Sequence, residues 1–303
     1  MKTAILQFMS YLSTEKGASS NTIAAYRNDL TQLETFLTGS IGNGHRAGVG
    51  DLDQKAILGY LAELRGRSYS ETTVARKVAA MKSFFGFLTS EGVLTSDPTE
   101  SLKSPKVGKA LPKAISVHDI DELLEQPTLR NSPESKRDHA MLELLYATGM
   151  RVTELVSLNV DDVVISEKWS HVRCMGKGSK ERTIPIHEQA LAAVQAYVDD
   201  SRTRLVRARN EKALFVNRRG ERLTRQGFWL ILKNYARSAN IASQVTPHTL
   251  RHSFATHMLR GGMPLRNVQE ILGHSNISTT QIYTQLTQQH VRQAYDEAHP
   301  RAR

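Results

Sequence analysis

The chain has 303 residues, 40 Lys and Arg against 30 Asp and Glu, a formal net charge of +10 and one cysteine. A single cysteine excludes a disulfide framework and fits a reducing compartment, and no run reaches the roughly eighteen apolar residues of a membrane-spanning helix. The N-terminal stretch "MKTAILQFMSYLSTEKG" lacks a secretory pattern, so a soluble cytoplasmic protein of about two domains is expected, its basic balance favouring a polyanion such as nucleic acid.

Residues 1–95 read as four helices. "TAILQFMSYL", "SNTIAAYRNDLTQLETFL", "DQKAILGYLAEL" and "TTVARKVAAMKSFFGFL" carry apolar residues at three-and-four spacing. The second run shows the stripe best, in Ile23, Tyr26, Leu30, Leu33 and Leu37. Ser70 is a candidate N-cap for the fourth. The glycine-rich "TGSIGNGHRAGVGD" between the second and third runs predicts an exposed loop.

Composition then shifts. "DPTESLKSPKVGKALPKAIS", residues 97–116, combines proline and lysine without an apolar period and predicts an extended linker. Beyond it, "SVHDIDELLEQ" and "RDHAMLELLYATG" predict helices, the latter stopped at Gly149. "WSHVRCM" and "KERTIPI" alternate around "GKGS", the signal of a hairpin. From about residue 187 helices dominate to the end, and no repeat of fixed period appears.

Chemistry concentrates late in the chain. Thr246 and Pro247 open a helix as cap and first residue. His248 and Arg251, three apart, share one face at its N-terminus, where backbone donors favour an anion. His248 and His252 have the spacing of a zinc pair. Thr249 stands where a zinc protease carries Glu, however, and Arg251 sets a fixed positive charge between them. Phosphate therefore suits this face better than a cation. In "EILGHSNISTTQIYTQL" Gly273 ends a helix, His274 follows in the turn, and Ser278 with Gln281 forms a capping box for the helix bearing Tyr283.

Taken together, these segments resemble the tyrosine recombinase/integrase family, in particular its bacterial XerC/XerD group, and within that the XerD branch. "ATGMRVTEL" is similar to the first arginine motif and "MGKGSKERTIPI" to the hairpin lysine motif. "HTLRHSFATHML" is similar to the His-x-x-Arg-His box, "LGHS" to the second histidine motif and "STTQIYT" to the nucleophile segment. The terminal "HPRAR" resembles the XerD tail.

The resemblance implies a mainly α fold with a small β-sheet. It divides the chain into an N-terminal helical core-binding (SAM-like) domain over 1–107, a linker over 108–116 and a mixed α/β catalytic domain over 117–303. It implies that Tyr283 attacks a DNA phosphodiester, that Arg151 and Arg251 clamp the phosphate with His274 as a further donor, and that Glu154 supports Arg151. It further implies Lys177 as the acid for the leaving 5′-oxygen and leaves His248 as the candidate base. The fixed cations supply the charge that a metal would bring, so neither metal nor cofactor is expected.

The implied partners are double-stranded DNA at a dif-like site and a second copy or a paralogous recombinase in a tetrameric synapse. An FtsK-type translocase is the implied activator, and the implied location is the nucleoid. Residues 288–298 predict a short helix striped by Val291, Ala294, Tyr295 and Ala298, which needs a surface to dock on: its own domain or, as the resemblance implies, a neighbouring protomer. A mobile-element integrase with the same chemistry is the alternative. A non-catalytic DNA scaffold, a type IB topoisomerase and a zinc hydrolase fit the set of motifs less well.

Overall fold

The computed structural model describes residues 1–40, 54–103, 114–166, 169–175, 181–243, 245–273 and 285–302. It separates into two compact units, Met1–Ala110 and Leu111–Arg303, each with its own apolar core. Most of the predicted loop over 38–51 and of the linker over 108–116 lies outside the described residues. So do Lys177 and its turn, His274, the Ser278–Gln281 capping box and Tyr283.

The first unit consists of α1 (Lys2–Thr14), α2 (Ser20–Ser40), α3 (Gln54–Gly66) and α4 (Glu71–Ser90). Leu30, Leu33 and Leu37 of the predicted stripe are fully buried among Phe8, Ile57, Phe84 and Phe85. Ile23 and Tyr26 pack on the edge of the same core. The Ser70 hydroxyl accepts the Thr73 amide at 3.3 Å and starts α4. Beneath the surface the Asp29 carboxylate on α2 takes Lys77 of α4 at 3.0 Å, with Arg76 on its other oxygen. Removing one partner of such a buried set leaves an uncompensated charge, so this cluster fixes the register of α2 on α4.

The second unit is built around α6 (Pro133–Thr148), preceded by α5 (Val117–Glu125) and a 3₁₀ turn, Gln126–Leu129. Ala140 to Thr148 of α6 are buried without interruption, which makes it a central helix and not a surface one. Its polar residues are paired: Arg137 with Asp138 at 2.7 Å, Tyr235 donating to Asp138 at 3.1 Å, and Glu143 accepting Arg301 at 2.6 Å. The Ser132 hydroxyl caps its start and Gly149, left-handed at φ 58°, ends it. Then come α7 (Val152–Ser157) and an antiparallel sheet in the order β1 (Val163–Val164), β2 (His171–Met175), β3 (Glu181–Pro185). The alternation around "GKGS" thus corresponds to β2 and β3, whereas β1 was too short to read.

From there α8 (Glu188–Ala196) runs through a π-helical turn, Tyr197–Arg202, into α9 (Thr203–Leu205). Next come α10 (Arg225–Ser238), α11 (Pro247–Arg260), α12 (Leu265–Leu272) and α13 (Gln285–Ala298). Among the described residues no helix is long and apolar enough to cross a membrane.

In the single chain the stripe of the tail is met within its own unit. Tyr295 and Ala298 are buried there, and the Tyr295 hydroxyl donates to the Ala147 carbonyl at 2.9 Å. A Cβ on Gly261 would stand 2.2 Å from the Ala298 carbonyl oxygen, so α11 and α13 meet backbone to backbone. Arg301 completes the seat, donating to Asp121 and Glu143 at 2.6 Å. A helix of 14 residues is marginal alone, and the nearest apolar surface satisfies it.

Candidate active site

The site forms where the C-terminal ends of α6 and α12 meet the N-terminal ends of α7 and α11. Local sequence accounts for each piece. Gly149 turns the chain left-handed after α6, so Arg151 becomes the cap residue of α7. A Cβ there would lie 2.2 Å from Phe254 Cδ1, so glycine is required for contact as well as for backbone angle. On α11 the Thr246 hydroxyl accepts the Thr249 amide at 3.0 Å, while Leu250, Phe254 and Met258 are buried. That anchoring sets His248 at the exposed start of α11 and Arg251 in its second turn, 9% exposed.

The described residues bring Arg151 and Arg251 together. Arg251 donates to the Gly149 carbonyl at 2.8 Å and to the Leu272 carbonyl at 2.6 Å. Arg151 donates to Glu154 Oε1 at 3.1 Å and to the Gly273 carbonyl at 3.3 Å, and its backbone amide donates to Glu154 Oε2 at 2.7 Å. The Arg151 side chain keeps 46% of its surface open to solvent, so a phosphate can reach it. His252 is half-buried on α11, and among the described residues no three His, Cys, Asp or Glu gather as metal ligands.

Arg182 on β3 joins this cluster, and the sequence reading missed it. Its guanidinium makes a two-pronged contact to Glu154, at 3.0 and 2.8 Å, and its Nε donates to the Ile271 carbonyl at 2.9 Å. Three successive carbonyls at the end of α12, Ile271, Leu272 and Gly273, therefore each accept a guanidinium. Cations at a helix C-terminus answer both its unpaired carbonyls and its dipole. A signal was available. The register pairs Cys174 with Arg182 and Val172 with Ile184, and directly opposed residues share a face. Cys174, Val172 and Ile184 are buried, so Arg182 occupies a core-facing slot that the alternation reserves for an apolar residue.

The electrostatics follow from this crowding. Burial lowers the Arg251 guanidinium to about 10, with the nearby Arg151 charge acting in the same direction; it remains charged at neutral pH. Burial alone would raise the Glu154 carboxyl. The Arg182 fork, the Arg151 amide and both guanidinium charges outweigh it and hold the group below its ordinary value. One carboxylate, bonded to two of the guanidiniums, thus stands against three positive charges, and the cluster keeps a net positive charge suited to an anion. Burial pushes the Cys174 thiol up to about 12, so the lone cysteine is inert beneath the sheet.

Comparisons with known proteins agree with this layout. The model of the phage integrase family matches residues 113–290, and that of the phage integrase N-terminal SAM-like domain matches residues 5–92. Tyrosine recombinase XerC of Herpetosiphon aurantiacus is 50% identical over 95% of this chain and 92% of its own. Tyrosine recombinase XerD of Halalkalibacterium halodurans is 46% identical over 98% of this chain and 97% of its own. Both names thus occur at similar identity. In fold, the chain is similar to XerH site-specific recombinase bound to difH substrate, with a TM-score of 0.69 and 18% identity, covering 98% of this chain and 82% of that one.

Proposed function

Because the chain belongs to the phage integrase family, as a site-specific tyrosine recombinase of the Xer group that breaks and rejoins DNA, we propose that it resolves chromosome dimers at a dif-like site. The observation that carries the chemical part is the convergence of Arg151 and Arg251 on the α6 and α12 ends. In this reading Tyr283 attacks a phosphodiester of bound duplex DNA while His248 takes its proton. The tyrosine–phosphorus bond forms as the bond to the 5′-oxygen breaks, and Lys177 protonates that oxygen. Negative charge gathers on the non-bridging oxygens, where the Arg151 and Arg251 forks and the His274 imidazole meet it. An unactivated tyrosine has a pKa near 10, so the base and the clamp together make it a competent nucleophile. The phosphotyrosyl bond conserves the energy of the original linkage, so rejoining needs no nucleotide cofactor.

The cellular part of the proposal is a tetramer on two DNA sites in the cytoplasm, passing through a Holliday junction. Its members are copies of this chain or of a paralogue, and an FtsK-type translocase activates it. In this reading the helical N-terminal domain (1–107) and the catalytic domain (117–303), joined by the linker 108–116, each contact DNA. In the synapse the tail passes to the neighbouring protomer, exchanging its seat at Tyr295 and Ala298 for the equivalent one. A head-to-tail exchange of this kind closes into a ring and ties Tyr283 to the presence of a partner.

Covalent protein–DNA adducts captured across the source genome test the assignment. Adducts at one chromosomal locus made of two inverted half-sites support it. Adducts at the ends of a mobile element would transfer the same chemistry to an integrase.

A further inference from the structure

Among the described residues the Arg182 side chain makes three hydrogen bonds where those of Arg151 and Arg251 each make two, and it is 14% exposed, against 46% for Arg151. All three of its guanidinium nitrogens are already committed, two to Glu154 and one to the Ile271 carbonyl, so it is poorly placed to meet DNA. It is well placed to control what meets it. Its two-pronged contact occupies one lone pair on each Glu154 oxygen, at 3.0 and 2.8 Å, leaving one site on each for the Arg151 side chain and amide. Without that contact, Glu154 would be free to close a full pair with Arg151 and cancel its charge. With it, a single carboxylate is divided between two guanidiniums, and Arg151 keeps positive charge for an incoming anion.

The second arm of Arg182 acts on the helix end. Its Nε holds the Ile271 carbonyl at 2.9 Å, immediately before the Leu272 and Gly273 carbonyls that take Arg251 and Arg151. Gly273 is left-handed at φ 67°, and a Cβ on it would stand 3.1 Å from the Arg182 guanidinium. The close approach of guanidinium and backbone is therefore built into the turn that follows α12. Burial would lower the Arg182 guanidinium, but its hydrogen bond and charge pairing with Glu154 outweigh that and raise it.

We propose that Arg182 is a positioning residue for the phosphate clamp, sharing Glu154 so that Arg151 stays charged and aimed, and pinning the end of α12 to which both clamp arginines bind. This rests on the reading of Arg151 and Arg251 as phosphate ligands. Sharing a carboxylate in this way needs a planar fork, which lysine lacks.

The test compares single-turnover cleavage of a nicked suicide substrate with half-site binding, for wild type, Arg182→Met, Arg151→Ala and the double variant. Arg182→Met is expected to bind within about twofold of wild type and to cleave about 100-fold more slowly at saturating protein, the usual cost of a misplaced reacting group. The double variant is expected to lose clearly less than the product of the two single losses, since the Glu154 arm of Arg182 acts through Arg151. A merely structural role would multiply the two losses. Should Arg182→Met fail to fold, Arg182→Lys, which keeps a charge and loses the fork, enters the same cycle.

If wild type forms no adduct, the parent reading fails. If wild type cleaves, this proposal alone is overturned by any of three results. These are cleavage by Arg182→Met within threefold of wild type, losses that multiply in the double variant, or a binding loss that accounts for the whole effect.

Discussion

Gly149→Ala joins the fold to the site, because this one glycine ends α6, touches Phe254 and offers its carbonyl to Arg251. An L-residue held at φ 58° costs about 1–2 kcal/mol. The new methyl would start 2.2 Å from Phe254 Cδ1, and relieving such overpacking costs about 1–3 kcal/mol more. The substitution is therefore expected to destabilise the second unit by about 2–5 kcal/mol. Any shift of the Gly149 carbonyl also weakens its 2.8 Å bond to Arg251, so cleavage falls even in the protein that remains folded. Both tryptophans, Trp169 and Trp229, belong to this unit, and their fluorescence in urea reports its unfolding without a signal from the first. Gly149→Asn separates the terms, since asparagine tolerates the left-handed backbone but carries the same Cβ. A loss below about 1 kcal/mol for Gly149→Ala would refute the reasoning.

Other expectations follow from the same geometry. Burial holds the His187 imidazole down at about 4, whereas the unfolded chain takes up that proton near pH 6.5. Stability therefore falls as pH drops from about 7 toward 4, with His187 contributing up to about 3 kcal/mol of that loss. His187→Asn keeps an acceptor for the Ala190 amide and should flatten the dependence of melting temperature on pH over that range; an unaltered slope contradicts it. Gly261→Ala drives a methyl into the Ala298 carbonyl and should lift α13, seen as faster amide hydrogen exchange over 291–298. Unchanged protection would mean that the tail is not seated as described. DNA cleavage should continue in excess EDTA, and loss of activity restored by magnesium or zinc would replace the arginine clamp with a metal.

What could be read in advance was what local chemistry encodes. The stripe at Leu30, Leu33 and Leu37, the cap at Ser70, the stop at Gly149 and the Thr246–Pro247 start each depend on a few neighbouring residues, and each is found in the structure. Arg151 and Arg251 were legible through motifs, but the reason they converge was not. It lies in carbonyls distant along the chain, such as Gly273 for Arg151. Arg182 was missed because its role is defined by Glu154 and Ile271, 28 and 89 positions away. Only its charged side chain on the inner face of a strand hinted at that role. The buried histidines at 187, 257 and 299 were invisible for the same reason, since three separate helices or their ends bring them together.

Covalent capture on a nicked DNA site bears most directly on the tyrosine assignment. Wild-type protein should become linked to the 3′-phosphate of the cleaved phosphodiester beside the nick, with release of the short 5′-hydroxyl fragment, and peptide mapping of the adduct should place the bond on Tyr283. Tyr283→Phe should bind the same DNA with unchanged affinity and form no adduct, because it lacks only the attacking hydroxyl. An adduct on any other residue, or one formed by Tyr283→Phe at the wild-type yield, would contradict the mechanism.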